Sequence, residues 1–128
     1  MQLALEVVQK CSVKRKAQLS LIQLGIVRWI VDVLKEYKEL DAYTLEYVTA
    51  LLMNLSLRSA GKKACLDPDL KVLEMLSSML SIDNNDIKTY INGTIYSLLS
   101  LPEFKARAKV VFNPLSIENE FSGPFRRT

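Results

Sequence analysis

The sequence predicts an all-α fold, a solenoid of stacked helices, on three observations. Apolar residues recur at the i, i+3, i+4, i+7 spacing of helix faces in segment after segment, separated by Gly, Pro, Asp and Asn. One stretch, Tyr43 to Arg58 (YTLEYVTALLMNLSLR), is apolar most of the way round, which suits a helix covered by neighbours on several sides. The chain also repeats itself at a shift of 44 residues: Val8 falls on Leu52 and Tyr96, Cys11 on Leu55 and Leu99, Ser12 on Ser56 and Ser100.

Taken in order, Met1 to Ser12 reads as the end of a helix with Leu3, Leu5, Val7, Val8 and Cys11 apolar, and Ser12 as the cap of the next helix. Lys14 to Leu24 is a short amphipathic helix carrying Ala17, Leu19, Leu21, Ile22 and Leu24, closed by Gly25 at C′. Ile26 to Tyr37 is a second helix with Trp29, Ile30, Val33 and Leu34 turned inward. Asp41 caps the long helix, its carboxylate taking orphan N–H groups of the first turn. Within that helix Leu45, Val48, Leu51, Leu52 and Leu55 form the main stripe.

The order then begins again. Ala60 to Leu66 is a short helix, and Asp67-Pro68-Asp69 reads as a helix start with Asp67 at N-cap and Pro68 at N1. Leu70 to Leu80 comes next with Val72, Leu73, Leu76 and Leu80, then a polar break at Asp83 to Asp86. Ile87 to Leu101 is the second long helix, with Tyr90, Ile91, Ile95, Leu98 and Leu99 in its stripe, and Pro102 opens another short one. Gly93 inside the long helix costs about 1 kcal/mol against Ala, which points to a close helix crossing there. Short, medium and long helices recurring at this period match the three-helix repeat of the armadillo and HEAT class, whose period is about 40–47 residues.

Composition narrows the function. The 128 residues are 49% hydrophobic and 24% charged, enough apolar material for a real core, and the net charge of +3 does not by itself call for nucleic acid. The fifteen residues from Tyr43 to Leu57 fall short of the roughly 20 that cross a bilayer, so no membrane insertion is expected, and no signal peptide is read at the start. The two cysteines, Cys11 and Cys65, stand far apart, and there is no histidine, which removes the commonest general base and metal ligand. No Gly-rich phosphate loop, HExxH or GxSxG occurs. The expectation is a protein-binding module with no catalytic residues, cofactor, metal or small-molecule substrate.

The residues also carry a family resemblance. GIVRWIVDVL followed by TLEYVTALLMNLSLR looks like the armadillo pattern. The longer run WIVDVLK, DAYTLEYVTALLMNLSLRSAGKKAC, LKVL and YINGTIYSLLSLP closely resembles the LisH-domain armadillo-repeat family of the ciliary basal body, over roughly residues 3 to 109. The resemblance implies an armadillo-type right-handed α-solenoid of about two and a half repeats. Residues 1–13 make a partial repeat, 14–57 and 58–101 two repeats, and 102–109 the start of another. It further implies a non-enzymatic scaffold of the centriole and basal body, cytoplasmic and cytoskeletal, that supports cilium assembly and stability and Hedgehog signalling. A link to Joubert-type ciliopathy and a TOG-array microtubule-binding partner are implied with it. The alternative is a generic armadillo or HEAT adaptor in cytosolic trafficking or nuclear import. The LisH and coiled-coil regions of the family are not in this sequence, and residues 110–128, with Pro114 and Pro124, read as a divergent, disordered tail.

The repeat pattern offers two candidate surfaces. Peptide-binding armadillo proteins hold a peptide backbone with an Asn of each long helix and a Trp one turn earlier. Here the Asn position reads Lys10, Asn54 and Leu98 and the Trp position Glu6, Ala50 and Thr94, so only Asn54 matches. The second surface is basic: Lys14, Arg15 and Lys16, then Arg58, Lys62 and Lys63, then Lys105, Arg107 and Lys109 recur where each long helix turns into the next short one. Stacked repeats would align these clusters into a stripe able to receive an acidic segment, such as a tubulin tail or an acidic loop.

Overall fold

The computed structural model describes residues 6–7, 9–10 and 14–111. Among them every α element is one of α1 (Arg15–Gln23), α2 (Ile26–Lys35), α3 (Ala42–Ser56), α4 (Ser59–Cys65), α5 (Val72–Met79), α6 (Asn85–Leu98) and α7 (Pro102–Val111), preceded by helical residues at Glu6, Val7, Gln9 and Lys10. A 3-10 turn at Tyr37–Glu39 joins α2 to α3. Lengths of 9, 10 and 15 residues in α1 to α3 are followed by 7, 8 and 14 in α4 to α6. Equivalent helices lie side by side: α1 packs on α4, α2 on α5, and α3 on α6 in the most extensive contact of the chain. This nearest-neighbour stacking is the armadillo-type α-solenoid the repeat predicts.

The core forms where the helical spacing places it. Ile30, Val31 and Leu34 of α2, Val48, Leu51 and Leu55 of α3, Leu73, Leu76 and Met79 of α5, and Ile87, Ile91 and Leu98 of α6 are all buried. Each such aliphatic side chain contributes about 1.5–3 kcal/mol by leaving water. Phe104 and Ala108 of α7 extend this cluster past the second repeat.

The helix signals behave as their chemistry requires. Gly25 takes φ +85°, and its N–H donates to the Ile22 carbonyl, ending α1 while α2 begins at the next residue. The two helices meet at 74°. The Asp41 carboxylate accepts from the Thr44 N–H at 2.7 Å, and Asn84 does the same for Ile87 at 3.1 Å.

Several expectations are corrected. Asp67-Pro68-Asp69 does not start α5. The Asp67 carboxylate accepts from the Asp69 N–H and its carbonyl from the Leu70 N–H, so the segment closes a turn of its own, the local alternative that Asp offers the backbone. The helix begins only at Val72, after Lys71 in a left-handed conformation with φ 50°. Trp29 lies on the surface, 38% exposed, because the buried face of α2 runs through Val27, Ile30, Val31 and Leu34. Leu19 and Leu24 are exposed as well, and the buried residue of α1 is Gln18. Tyr90 and Leu99 are half-buried at the margin of their stripe. The expected cap at Ser12 lies outside the described residues, and Lys14 holds the N-cap position of α1 without a side-chain cap. The tail from Phe112 onward also lies outside them.

Polar contacts between the repeats share one separation. Side-chain hydrogen bonds join Tyr43 to Glu6, Gln18 to Arg58, Arg28 to Asp67, and Tyr37 to Ser78. The partners are 37 to 41 residues apart.

Candidate protein-interaction surface

The arrangement that unites the sequence-predicted residues begins with a glycine. A Cβ at Gly61 would lie 1.9 Å from the Leu55 carbonyl oxygen, so only glycine lets α4 fold back against the last turn of α3. That approach sets the corner Leu57-Arg58 next to α1. There Gln18, 2% exposed, does two things with one amide. Its Nε2 donates to the Asn54 carbonyl at 3.4 Å, and its Oε1 accepts from Arg58 Nε at 2.6 Å. A buried primary amide must find such partners, since an unsatisfied one costs about 1–3 kcal/mol. The main chain at Asn54 and the Arg58 side chain are thus joined through a third residue that the helical pattern does not mark.

The remaining cations sit round this junction. Lys14 lies one turn before Gln18, whose N–H donates to the Lys14 carbonyl, and Lys62 lies one turn after Arg58 in the same relation. Lys14, Arg15, Lys16 and Lys63 are exposed, and Arg58 and Lys62 half-buried. Among the described residues the ion pairs are Lys10 with Glu6 and Arg28 with Asp67, so no described carboxylate pairs with the cations at this junction. Lys105 and Lys109 are exposed on α7.

The long-helix surface differs from a peptide ladder. Ala50, Thr94 and Leu98 are buried, so the positions that would carry ladder side chains on α3 and α6 serve the core around Asn54. Further along, the rings of Tyr43 and Tyr47 pack at 4.7 Å, and the Tyr43 hydroxyl donates to Glu6 at 2.8 Å. Hydrogen bonds from Lys10 and Tyr43 lower the Glu6 carboxyl, and the carboxylate in return raises Lys10 and Tyr43. A cavity of about 250 Å³ opens between the start of α5 and α7, lined by Val72, Leu73, Phe104 and Val111 with Lys71 and Arg107 at its edge. Arg107 lies over the Phe104 ring, 5.7 Å from its centre.

No group of three or more potential metal ligands comes together among the described residues. Cys65 is a free, buried thiol whose burial pushes its pKa up to about 12, far from the thiolate form that nucleophilic chemistry uses. No single described helix is long and apolar enough to cross a membrane.

Comparison with known proteins places this geometry in context. The family model for "LisH domain-containing protein ARMC9, ARM repeats" matches residues 21–120. The LisH domain-containing protein ARMC9 of Bos taurus is 47% identical over 103 residues, covering 80% of this chain and 16% of the relative. The Homo sapiens protein is also 47% identical over 80% of this chain and 13% of its own length, and that of Danio rerio is 43% identical over 82% and 13%. The chain therefore spans about a seventh of the relatives it resembles, within their armadillo repeats.

Proposed function

Because the chain belongs to the ARMC9 armadillo-repeat family, we propose that it serves as a protein-interaction scaffold at the centriole and ciliary basal body. In this reading it supports cilium assembly and stability and, through them, Hedgehog signalling, alongside a TOG-array microtubule-binding partner. The observation that carries the reading is the family match, which runs through both stacked repeats. A solenoid of this kind offers an extended surface of repeated corners and helix faces, the architecture repeat proteins use for binding other proteins. The cations at the first of those corners, which pair with no described carboxylate, support the same role.

Proximity labelling in ciliated cells tests it, comparing residues 1–109 with the full 128-residue chain. Enrichment of basal-body proteins by residues 1–109 is the expected result. Labelling of general cytosolic or nuclear-import proteins by both chains, with both folded, would replace the ciliary reading with that of a general adaptor.

A further inference from the structure

We propose that the corner between α1 and α4 is a carboxylate receptor for an acidic protein segment, with Arg58 as its centre and Lys14 and Lys62 as its flanks. The inference rests on the reading of the chain as an interaction module and adds to it a place and a partner chemistry. Arg58 differs from an ordinary surface arginine in being held. Its Nε is committed to Gln18 Oε1 at 2.6 Å, and Gln18 is itself fixed inside the fold by its bond to the Asn54 carbonyl. The two Nη groups donate to no acceptor among the described residues. A guanidinium fixed through Nε keeps a planar pair of donors free, the geometry that takes a carboxylate or two adjacent carboxylates with little further loss of side-chain freedom.

The neighbours fit the same ligand. Lys14 and Lys62 each stand four residues, about one helical turn, from a member of the Gln18–Arg58 pair, joined to it by a main-chain hydrogen bond. From Lys14 to Gly25 and from Ala50 to Leu66 the sequence holds no Asp or Glu, so the corner's own elements supply no internal competitor for the cations. The ligand chemistry is that of anionic oxygen, and the fit is to a protein segment rather than to nucleic acid. The charge is concentrated at one helix junction around a fixed fork, whereas nucleic-acid grooves track many phosphates and interleave aromatic platforms for bases. Glycine at 61 completes the device, because the close packing of α4 on the Leu55 carbonyl holds Arg58 within reach of Gln18.

The test uses the full 128-residue chain and a fluorescently labelled Glu-rich peptide, with binding read by anisotropy at near-physiological salt. Helicity and Tm are recorded for each variant. Arg58→Gln is expected to weaken binding about tenfold or more, as loss of a charge-assisted donor pair does. Arg58→Lys, which keeps charge and stem and so guards against a folding defect, is expected to lose several-fold through loss of the fork. The double variant Lys35→Gln/Lys38→Gln, two exposed lysines outside the basic clusters, is expected to stay within about twofold, as for peripheral surface charge. Equal losses from the Lys35→Gln/Lys38→Gln variant and Arg58→Gln would reduce the effect to general charge and overturn the proposal. So would unchanged binding in both Arg58 variants, or tighter binding of a single-stranded RNA oligonucleotide than of the peptide. None of these outcomes depends on where the protein resides in a cell, so the ciliary reading stands or falls separately.

Discussion

Gly93 of α6 and Met53 of α3 meet where the two long helices cross: a Cβ at 93 would lie 2.8 Å from the Met53 sulfur. The crossing is what this glycine allows, and it lies on the most extensive helix contact of the chain. Gly93→Ala adds helix propensity of about 1 kcal/mol, offset by the shift the flexible Met53 side chain must make. The expected result in urea denaturation is a stability within about 1 kcal/mol of the parent. Gly93→Val has no such room and is expected to lose about 1–3 kcal/mol.

Gly61 gives the opposite sign from the same substitution. Its neighbour at 1.9 Å is the Leu55 carbonyl, a backbone atom that cannot turn aside. Gly61→Ala is expected to destabilise by about 2–3 kcal/mol, despite alanine's better helix propensity. Comparing the midpoints of Gly61→Ala and Gly93→Ala checks this; equal midpoints would contradict the account of the α3–α4 corner.

The long helices depend on their caps. Asp41→Ala and Asn84→Ala each remove the acceptor for one first-turn N–H, Thr44 and Ile87 respectively. Each is expected to cost about 1 kcal/mol, with an Asp41→Asn control close to the parent. For a chain of 128 residues that loss lowers Tm by roughly 4 °C.

Cys65 supplies a pH dependence with a definite sign. Burial raises its thiol from 9.0 to about 12, so the folded state holds the proton more tightly than the unfolded chain. This contribution to stability is fully present below about pH 9 and is lost as pH rises from there towards 12. Alkylation by iodoacetamide at pH 8, in a Cys11→Ser background, is expected to be slow in buffer and fast in denaturant. Rapid alkylation of the folded chain would show the thiol to be accessible.

Much of the architecture was legible because it rests on local pattern. The stripe Leu45, Val48, Leu51, Leu52, Leu55 announced α3, and all five residues are buried. Gly25 and Asp41 announced the ends they form, since left-handed backbone and an orphan N–H each call for a particular residue type. The close crossing at Gly93 was legible from its cost. The partner that binds Asn54 and Arg58 together was not. Gln18 reads as an exposed polar residue on a short amphipathic helix, and only a partner 40 residues away makes its burial favourable. Gly61 hid for the same reason, its constraint being an approach between elements. Asp67-Pro68-Asp69 misled because an Asp before Pro serves a helix start and a turn equally well, and Arg28 at 3.2 Å holds it in the turn.

The similar span of the cross-repeat hydrogen bonds, 37 to 41 residues, has a kinetic consequence. Each bond closes a loop of one repeat's length, and the entropy lost in closing it depends on that length alone. A further repeat of the same kind would add another closure of equal size and none larger. Folding can therefore spread from whichever repeat orders first, each ordered unit serving as the template for the next, and the array can lengthen without slowing in proportion.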